Sequence, residues 1–412
     1  MTSLQTVRIA GRALMRNKLR SFLTALGIII GVGAVIATVA IGDGAKSMVE
    51  QAFAAMGWNL LIIMSGTTTS GGAHGGFGSQ PTLTWDDMAA IQREVTSVKY
   101  TAPQLRTNAQ IINEEQNWTT SVTGTTPEYF LIRTWAAAAG SLISTADVEG
   151  ATKTVVLGQT VVDKLYGPNV DPNTVVGQSV RIKNVPFQVI GVLERKGQSA
   201  SGQDYDDGVF IPAATFLAKV QGGLKQYLSG VILANATSND ATARAERQIT
   251  SLLRERHHLR KGSDDDFSIR NLSELANAQQ EGTRTLTTLL ASIAAVSLLV
   301  GGVGIMNIML VSVTERTREI GLRMAVGARR SDILYQFLIE SLTLSVAGGI
   351  IGIATGIATA EELASKFAWP LLVRPQVIVI AVVFSGLVGV GFGLYPARKA
   401  SRLDPIEALR FE

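Results

Sequence analysis

The sequence predicts a membrane protein with four transmembrane α-helices and a large, two-lobed α+β extracytoplasmic domain between the first and second. Three observations carry that reading. The 412 residues are 46% apolar and only 17% charged, where an average soluble domain is about a quarter charged. The apolar residues gather into four blocks with no charge at all, 21–42, 285–314, 341–360 and 375–397. Each reaches the roughly 20 residues that a helix needs to cross a hydrocarbon core of about 30 Å. The basic residues, finally, collect at the ends of these blocks on one side only.

The N-terminal segment 1–20 holds Arg8, Arg12, Arg16, Lys18 and Arg20 and no acid. Arginines four apart make a slowly drifting basic stripe, with Leu4, Val7, Leu14 and Met15 as apolar surface. The segment is expected to be an amphipathic helix on the inner leaflet, a disordered basic tail being the other reading. A basic start before an apolar run also describes a signal peptide. The 21–42 block exceeds the roughly 7–15 residues of a secretory apolar region, so it is read as a membrane anchor.

Orientation follows from the positive-inside rule. Arg316, Arg318, Arg323, Arg329 and Arg330 lie between the second and third blocks, and Arg398, Lys399, Arg402 and Arg410 follow the fourth. The short 361–374 loop has only Lys366 and Arg374 as bases. Both termini and the 315–340 loop are therefore expected in the cytoplasm of a multi-pass protein of the inner (plasma) membrane. The net charge of +4 comes from these flanks, which makes anionic lipid, not nucleic acid, the expected partner.

Residues 43–284 form the expected exterior domain, with an inserted lobe at about 126–226. The flanking pieces 44–56 and 273–284 are read as helical stalks. A Gly/Ser/Thr-rich stretch, 66–79, is read as mobile. Thr84 has the character of an N-cap, with Asp86 and Asp87 in the first turn of a helix to about Glu94. Strands are predicted at 59–65, 98–105, 109–113, 118–124, 154–157, 175–182, 185–193, 227–233 and 267–272. Ala241, Ala245, Ile249, Leu252 and Leu253 mark one amphipathic helix, about 240–259.

Little in the chain suggests chemistry of its own. There is no phosphate-cradling G-x-x-x-x-G-K-[ST] sequence and no cysteine. His74, His257 and His258 are the three histidines. The last two diverge as neighbours on one helix, and all three are read as surface residues. The acidic run at Asp204–Asp207 fails as a calcium loop, since its sixth position is Val209 and its twelfth Thr215. Catalytic and metal-binding residues are expected to be none. Gly301, Gly302, Gly304 and Asn307 are expected to serve helix packing in the second span.

The most informative stretch is TERTREIGLRMAVGARRSDIL, residues 314–334. It predicts a short helix over about 317–326, ended by a left-handed cap at Gly327, with Ser331 and Asp332 opening the next helix. Mixed charge at Arg316, Arg318, Glu319 and Arg323, beside Ile320, Leu322, Met324 and Val326, suits docking to a partner. The alternative is a helix that rests on lipid.

This stretch, with VGGVGIMNIMLVSV (300–313) and YPARKASRLDPIEALR (395–410), resembles the MacB permeases of the FtsX-like family of ABC transporters. VTGTTPEYF, VVLGQTVVDKLYG and GQDYDDGVFIP extend the likeness through the exterior domain. The resemblance implies a permease that transmits ATP-driven motion to the exterior domain for efflux of drugs, peptides or similar cargo. Lipoprotein release as in Lol permeases, and control of a cell-wall hydrolase as in FtsX, are the alternatives. The implied partners are an ABC ATPase on a separate chain, a second copy in a homodimer, a MacA-like adaptor and an outer-membrane duct. ATP and Mg would be held by the ATPase and no cofactor by this chain. ATPase coupling would fall to Glu315, Arg316, Arg318, Glu319, Gly321, Arg323, Met324, Ala325, Gly327 and Arg329. The tail is 398–412.

Overall fold

The computed structural model describes residues 18–57, 59–66, 69–70, 73–74, 81–114, 116–198, 204–222, 226–367 and 369–409. The amphipathic helix expected over 1–20 lies almost wholly outside these residues, as does most of the stretch 66–79. The chain divides into two compact units, one of Met1–Met48 with Gln280–Glu412 and one of Val49–Gln279.

Four helices in the described residues are long and apolar enough to cross a membrane. They belong to α1 (Lys18–Met56), α4 (Leu272–Glu315), α6 (Arg330–Phe367) and α7 (Pro375–Ser401). The stalk pieces expected on either side of the exterior domain are not separate elements. They continue α1 and α4 without a break.

Glycine sets how closely these helices approach. A Cβ on Gly301 of α4 would stand 2.8 Å from the carbonyl carbon of Gly27 in α1, and one on Gly27 would stand 2.8 Å from the Gly301 Cα. The backbones thus touch where only hydrogen fits, the small-residue contact that membrane helices use in place of a hydrophobic drive. Ser385 of α7 donates to the Ser345 carbonyl of α6 at 2.5 Å. Ile28, Val32 and Ile36 join Leu298, Ile305 and Met309 in the apolar core of this unit.

Two of the expected packing residues do not take part within the chain. Gly304 has no atom within 4 Å of where its Cβ would be, and Asn307 is exposed. Asn307 lies on the far side of α4 from Leu298, and Gly304 lies at the flank, about 60° round from Gly301, because a helix turns about 100° per residue. Gly302 does pack, against the Phe392 ring.

The second unit is built on a ten-stranded sheet among the described residues. Its strands are β1 (Leu60–Ser65), β2 (Val98–Asn113), β3 (Gln116–Thr125), β4 (Ala137–Gly140), β5 (Thr154–Leu157), β6 (Ser179–Ile182), β7 (Val185–Leu193), β8 (Gly208–Pro212), β9 (Val231–Ala236) and β10 (Phe267–Asn271). The order is β10-β1-β9-β2-β3-β8-β5-β7-β4, with β6 bridging β2 and β7. The strands predicted at 98–105 and 109–113 are one strand. Its first half pairs with β9 and its second with β3, so the polar run Arg106–Asn108 is held in the ladder although it interrupts the apolar pattern. Strands β4 and β8 were absent from the sequence-based reading. β4 is short and Ala/Gly-rich, and β8 follows a run of aspartates.

Thr84 caps α2 (Trp85–Glu94) through a capping box, in which Asp87 N–H donates to Thr84 Oγ1 and Thr84 N–H donates to Asp87 Oδ2. The reading of His257 as a surface residue is overturned. Its ring closes the C-terminus of α3 (Thr242–Arg256), with Nε2 3.2 Å from Asp87 and Nδ1 2.8 Å from Asp266. The side chain is 11% exposed. Arg256 Nε donates to the other Asp87 oxygen at 2.7 Å. His258 is exposed, as expected. Two carboxylates facing both ring nitrogens require an imidazolium that donates twice. The Asp87 bond, against the opposing effect of burial and aided by Asp266, pushes the His257 pKa up to about 9. Burial would raise the Asp87 carboxyl, but its bonds from His257, Thr84 and Arg256 hold it well below the usual carboxylate range.

Two outcomes follow for stability. Gly301→Leu should lower the detergent-solubilised protein's melting temperature far more than Gly304→Ala; equal effects would remove the close-approach account. For His257, the folded pKa is raised from 6.5, so its contribution is complete below that value and is lost as pH rises through about 9. His257→Gln should therefore cost roughly 2–3 kcal/mol at pH 6, and urea unfolding at pH 9.5 should show the gap to the parent protein narrowed.

Candidate functional site

The segment between α4 and α6 folds as the short helix α5 (Thr317–Ala325). Thr317 Oγ1 donates back to the Val313 and Thr314 carbonyls, which closes the turn from α4 into α5. At the other end Gly327 adopts φ +107. Its N–H donates to the Met324 carbonyl at 3.1 Å, and Ala328 N–H donates to the Arg323 carbonyl at 3.0 Å. Those two bonds are a Schellman motif, which is built around a left-handed residue and favours glycine there. Asp332 then accepts from Arg329 N–H at 3.0 Å as α6 begins. A helix this short is unstable alone, so both ends are fixed by local hydrogen bonds.

The expected site residues fall into three groups. Arg316, Gly321 and Met324 hold the element in place. Arg316 Nη1 lies 3.4 Å from Glu340, a carboxylate buried on α6. Gly321 is buried against α8 (Pro405–Leu409), where a Cβ would meet the Ala408 Cβ at 2.7 Å. Met324 packs on the apolar core, next to the fully buried Ile320. Arg323 and Glu319 form the second group: Arg323 donates to Glu319 at 2.5 Å and to Gln336 Oε1 of α6 at 2.9 Å. Glu315, Arg318, Ala325, Gly327 and Arg329 form the third, all exposed.

Of the apolar residues singled out beforehand, Ile320 and Met324 face the protein while Leu322 and Val326 face outward, Val326 at 83% exposure. The structure adds to that surface residues that sequence reasoning missed. Tyr335 on α6 and Ile406 and Leu409 on α8 are also exposed. α8 is held by Asp404, whose Oδ1 accepts from Ile406 N–H at 2.8 Å. The sequence signal for α8 is Asp404-Pro405 ahead of Ile406 and Leu409, a helix start.

The surface that α5, α6 and α8 present is mixed, apolar at Leu322, Val326, Tyr335 and Ile406 and charged at Arg318 and Arg329. A family model described as the MacB-like periplasmic core domain matches residues 21–252. A second, the FtsX-like permease C-terminal, matches residues 291–405, which include α5 and the start of α8. Among curated proteins, "Macrolide export ATP-binding/permease protein MacB" of Syntrophobacter fumaroxidans is 41% identical over 99% of this chain and 64% of its own length. That of Azoarcus sp. is 43% identical over 99% of this chain and 60% of its length. The chain thus spans somewhat over three fifths of the curated relatives it matches. The solved periplasmic region of MacB from Actinobacillus actinomycetemcomitans is 23% identical, with a TM-score of 0.43 over 55% of this chain and 94% of that one.

Gly321→Leu should push α8 off α5 at a cost of about 1–3 kcal/mol and speed trypsin cleavage after Arg402. Unchanged cleavage would mean that α8 is not held through this contact.

Proposed function

The chain belongs to the family of MacB-like, FtsX-like permeases, multi-pass membrane proteins, and from that premise we propose that it is the permease of an ABC-type exporter. It carries no catalysis of its own in this reading. ATP and Mg bind an ABC ATPase whose nucleotide site lies outside these residues, since they hold no phosphate-cradling sequence. The observation that carries the reading is α5 with its buttress. It is a short helix fixed at both ends, anchored through Arg316 and Gly321, and turned outward at Leu322 and Val326.

In this reading both termini and the α5 loop are cytoplasmic, in the inner membrane, and the α+β domain lies on the far side. The asymmetry of basic residues supports that placement. ATP binding moves α5, the motion passes along α4 and α6, and the exterior domain responds by expelling drugs, peptides or similar cargo. A MacA-like adaptor and an outer-membrane duct would complete the route. A second copy is supported by α4, whose exposed Leu289, Ile293, Val296, Val300 and Val303 recur at intervals of three and four. Gly304 and the polar Asn307 share that face. An amide in hydrocarbon is better satisfied by a neighbouring helix than by lipid.

The test is co-purification with the cognate ATPase. Leu322→Asp and Val326→Asp should reduce its recovery. Arg323→Glu, which sets like charges at positions four apart, should leave assembly intact yet abolish permease-dependent ATP turnover and export. Full coupling in all three variants would exclude α5 as the grip.

A further inference from the structure

The α+β unit contains a cavity of about 190 Å³ that transport coupling does not use. Its floor is aromatic. Trp135 and Tyr129 pack against Phe210 with ring centroids 5.4 and 5.5 Å apart. The Trp135 indole N–H is already committed to the Glu194 carbonyl at 2.7 Å, so the ring offers the cavity an apolar surface.

One wall is cationic. Lys196 Nζ stands 5.1 Å from the Trp135 ring centroid and donates to the Arg133 carbonyl at 2.5 Å. Arg133 lies over the Tyr129 ring at 5.6 Å, and Arg106 comes from β2, where it reaches Ser121 at 3.5 Å. Two carboxylates also line the space, and both have local duties. Asp204 accepts from the Thr160 hydroxyl at 2.7 Å and Asp207 from the Trp118 indole at 2.9 Å. The neighbouring Asp206 accepts from the Lys196 and Gly197 backbone N–H groups, each at 2.8 Å.

We propose that this cavity binds a small organic carboxylate with a flat apolar body. The body lies on Trp135 and Phe210, and the carboxylate sits among Lys196, Arg133 and Arg106. An anion there relieves a repulsion that the structure already contains. Burial pushes the Lys196 ammonium down to about 8, and the Arg133 charge pushes it the same way, against Asp206. The size sets the scale of the ligand, since drug-sized molecules occupy pockets of roughly 300–1,000 Å³. The site thus suits a small effector and not a bulky exported cargo.

Benzoate is a suitable probe, titrated calorimetrically into the full chain in lipid nanodiscs, with benzamide, benzylamine and inorganic phosphate as comparisons. Benzoate should bind saturably, and the other three at least about ten-fold more weakly, as expected when a charge-assisted hydrogen bond or an apolar contact is lost. Lys196→Gln and the more exposed Arg106→Gln should each weaken benzoate by about ten-fold with the unfolding temperature of Arg106→Gln unchanged. No saturation by 20 mM benzoate, equal binding of benzamide, or full affinity in both variants would overturn the proposal. Phosphate binding as tightly as benzoate would overturn the organic class.

Discussion

A backbone in hydrocarbon finds no hydrogen-bond partner except itself, and much of the first unit follows from that constraint. It forces α1, α4, α6 and α7 to be helices and removes the hydrophobic effect as the agent that packs them. What remains is contact, so packing depends on how near two backbones come. Gly27 and Gly301 set that distance for α1 and α4, and Ser345 and Ser385 add a hydrogen bond between α6 and α7. Once these helices are placed, α5 has a fixed base. Its anchors, Glu340 for Arg316 and Gln336 for Arg323, both lie on α6.

The second unit solves the opposite problem, since water competes for every polar group there. It places charge where water is scarce and pairs it in clusters. Asp87 is buried and serves at once as capping residue for α2 and as anchor for Arg256 and His257 at the end of α3. Removing a partner would leave the buried Asp87 carboxylate with fewer donors, which costs stability. Such a cluster specifies how two helices meet, whereas the apolar contacts of Ala245, Ile249 and Leu253 would tolerate sliding.

Legibility in the sequence followed the range of the interactions. The four spans, the Thr84 cap and the Gly327 turn depend on neighbours within a few residues, so a reader of the chain alone can find them. The continuous strand β2 could not be found that way, because its polar middle is kept in the ladder by β3. His257 was misread for the same reason: its two carboxylates are nine and 170 positions away. The site was half legible. The 314–334 string marked α5 and its cap, but α8 as a buttress depends on Gly321 meeting Ala408 across the whole length of α6 and α7. Helix periodicity puts Asn307 on the far side of α4 from Leu298 and Gly304 between the two sides, but which face meets α1 is a tertiary fact.

Several buried charged side chains join structural elements. Asp87 and His257 join α2 to α3, Glu340 pairs with Arg316 at the start of α5, and Asp206 fixes the backbone at Lys196 and Gly197. Side chains tied in this way are poor acids, bases or ligands, because their oxygens and nitrogens already have fixed partners. They are good struts, since a displacement at one end must either break a buried pair or carry its partner along. A helix as short as α5 would ordinarily fray. A Schellman turn, an ion pair from Arg316 to α6 and the contact of Gly321 with α8 hold it in place.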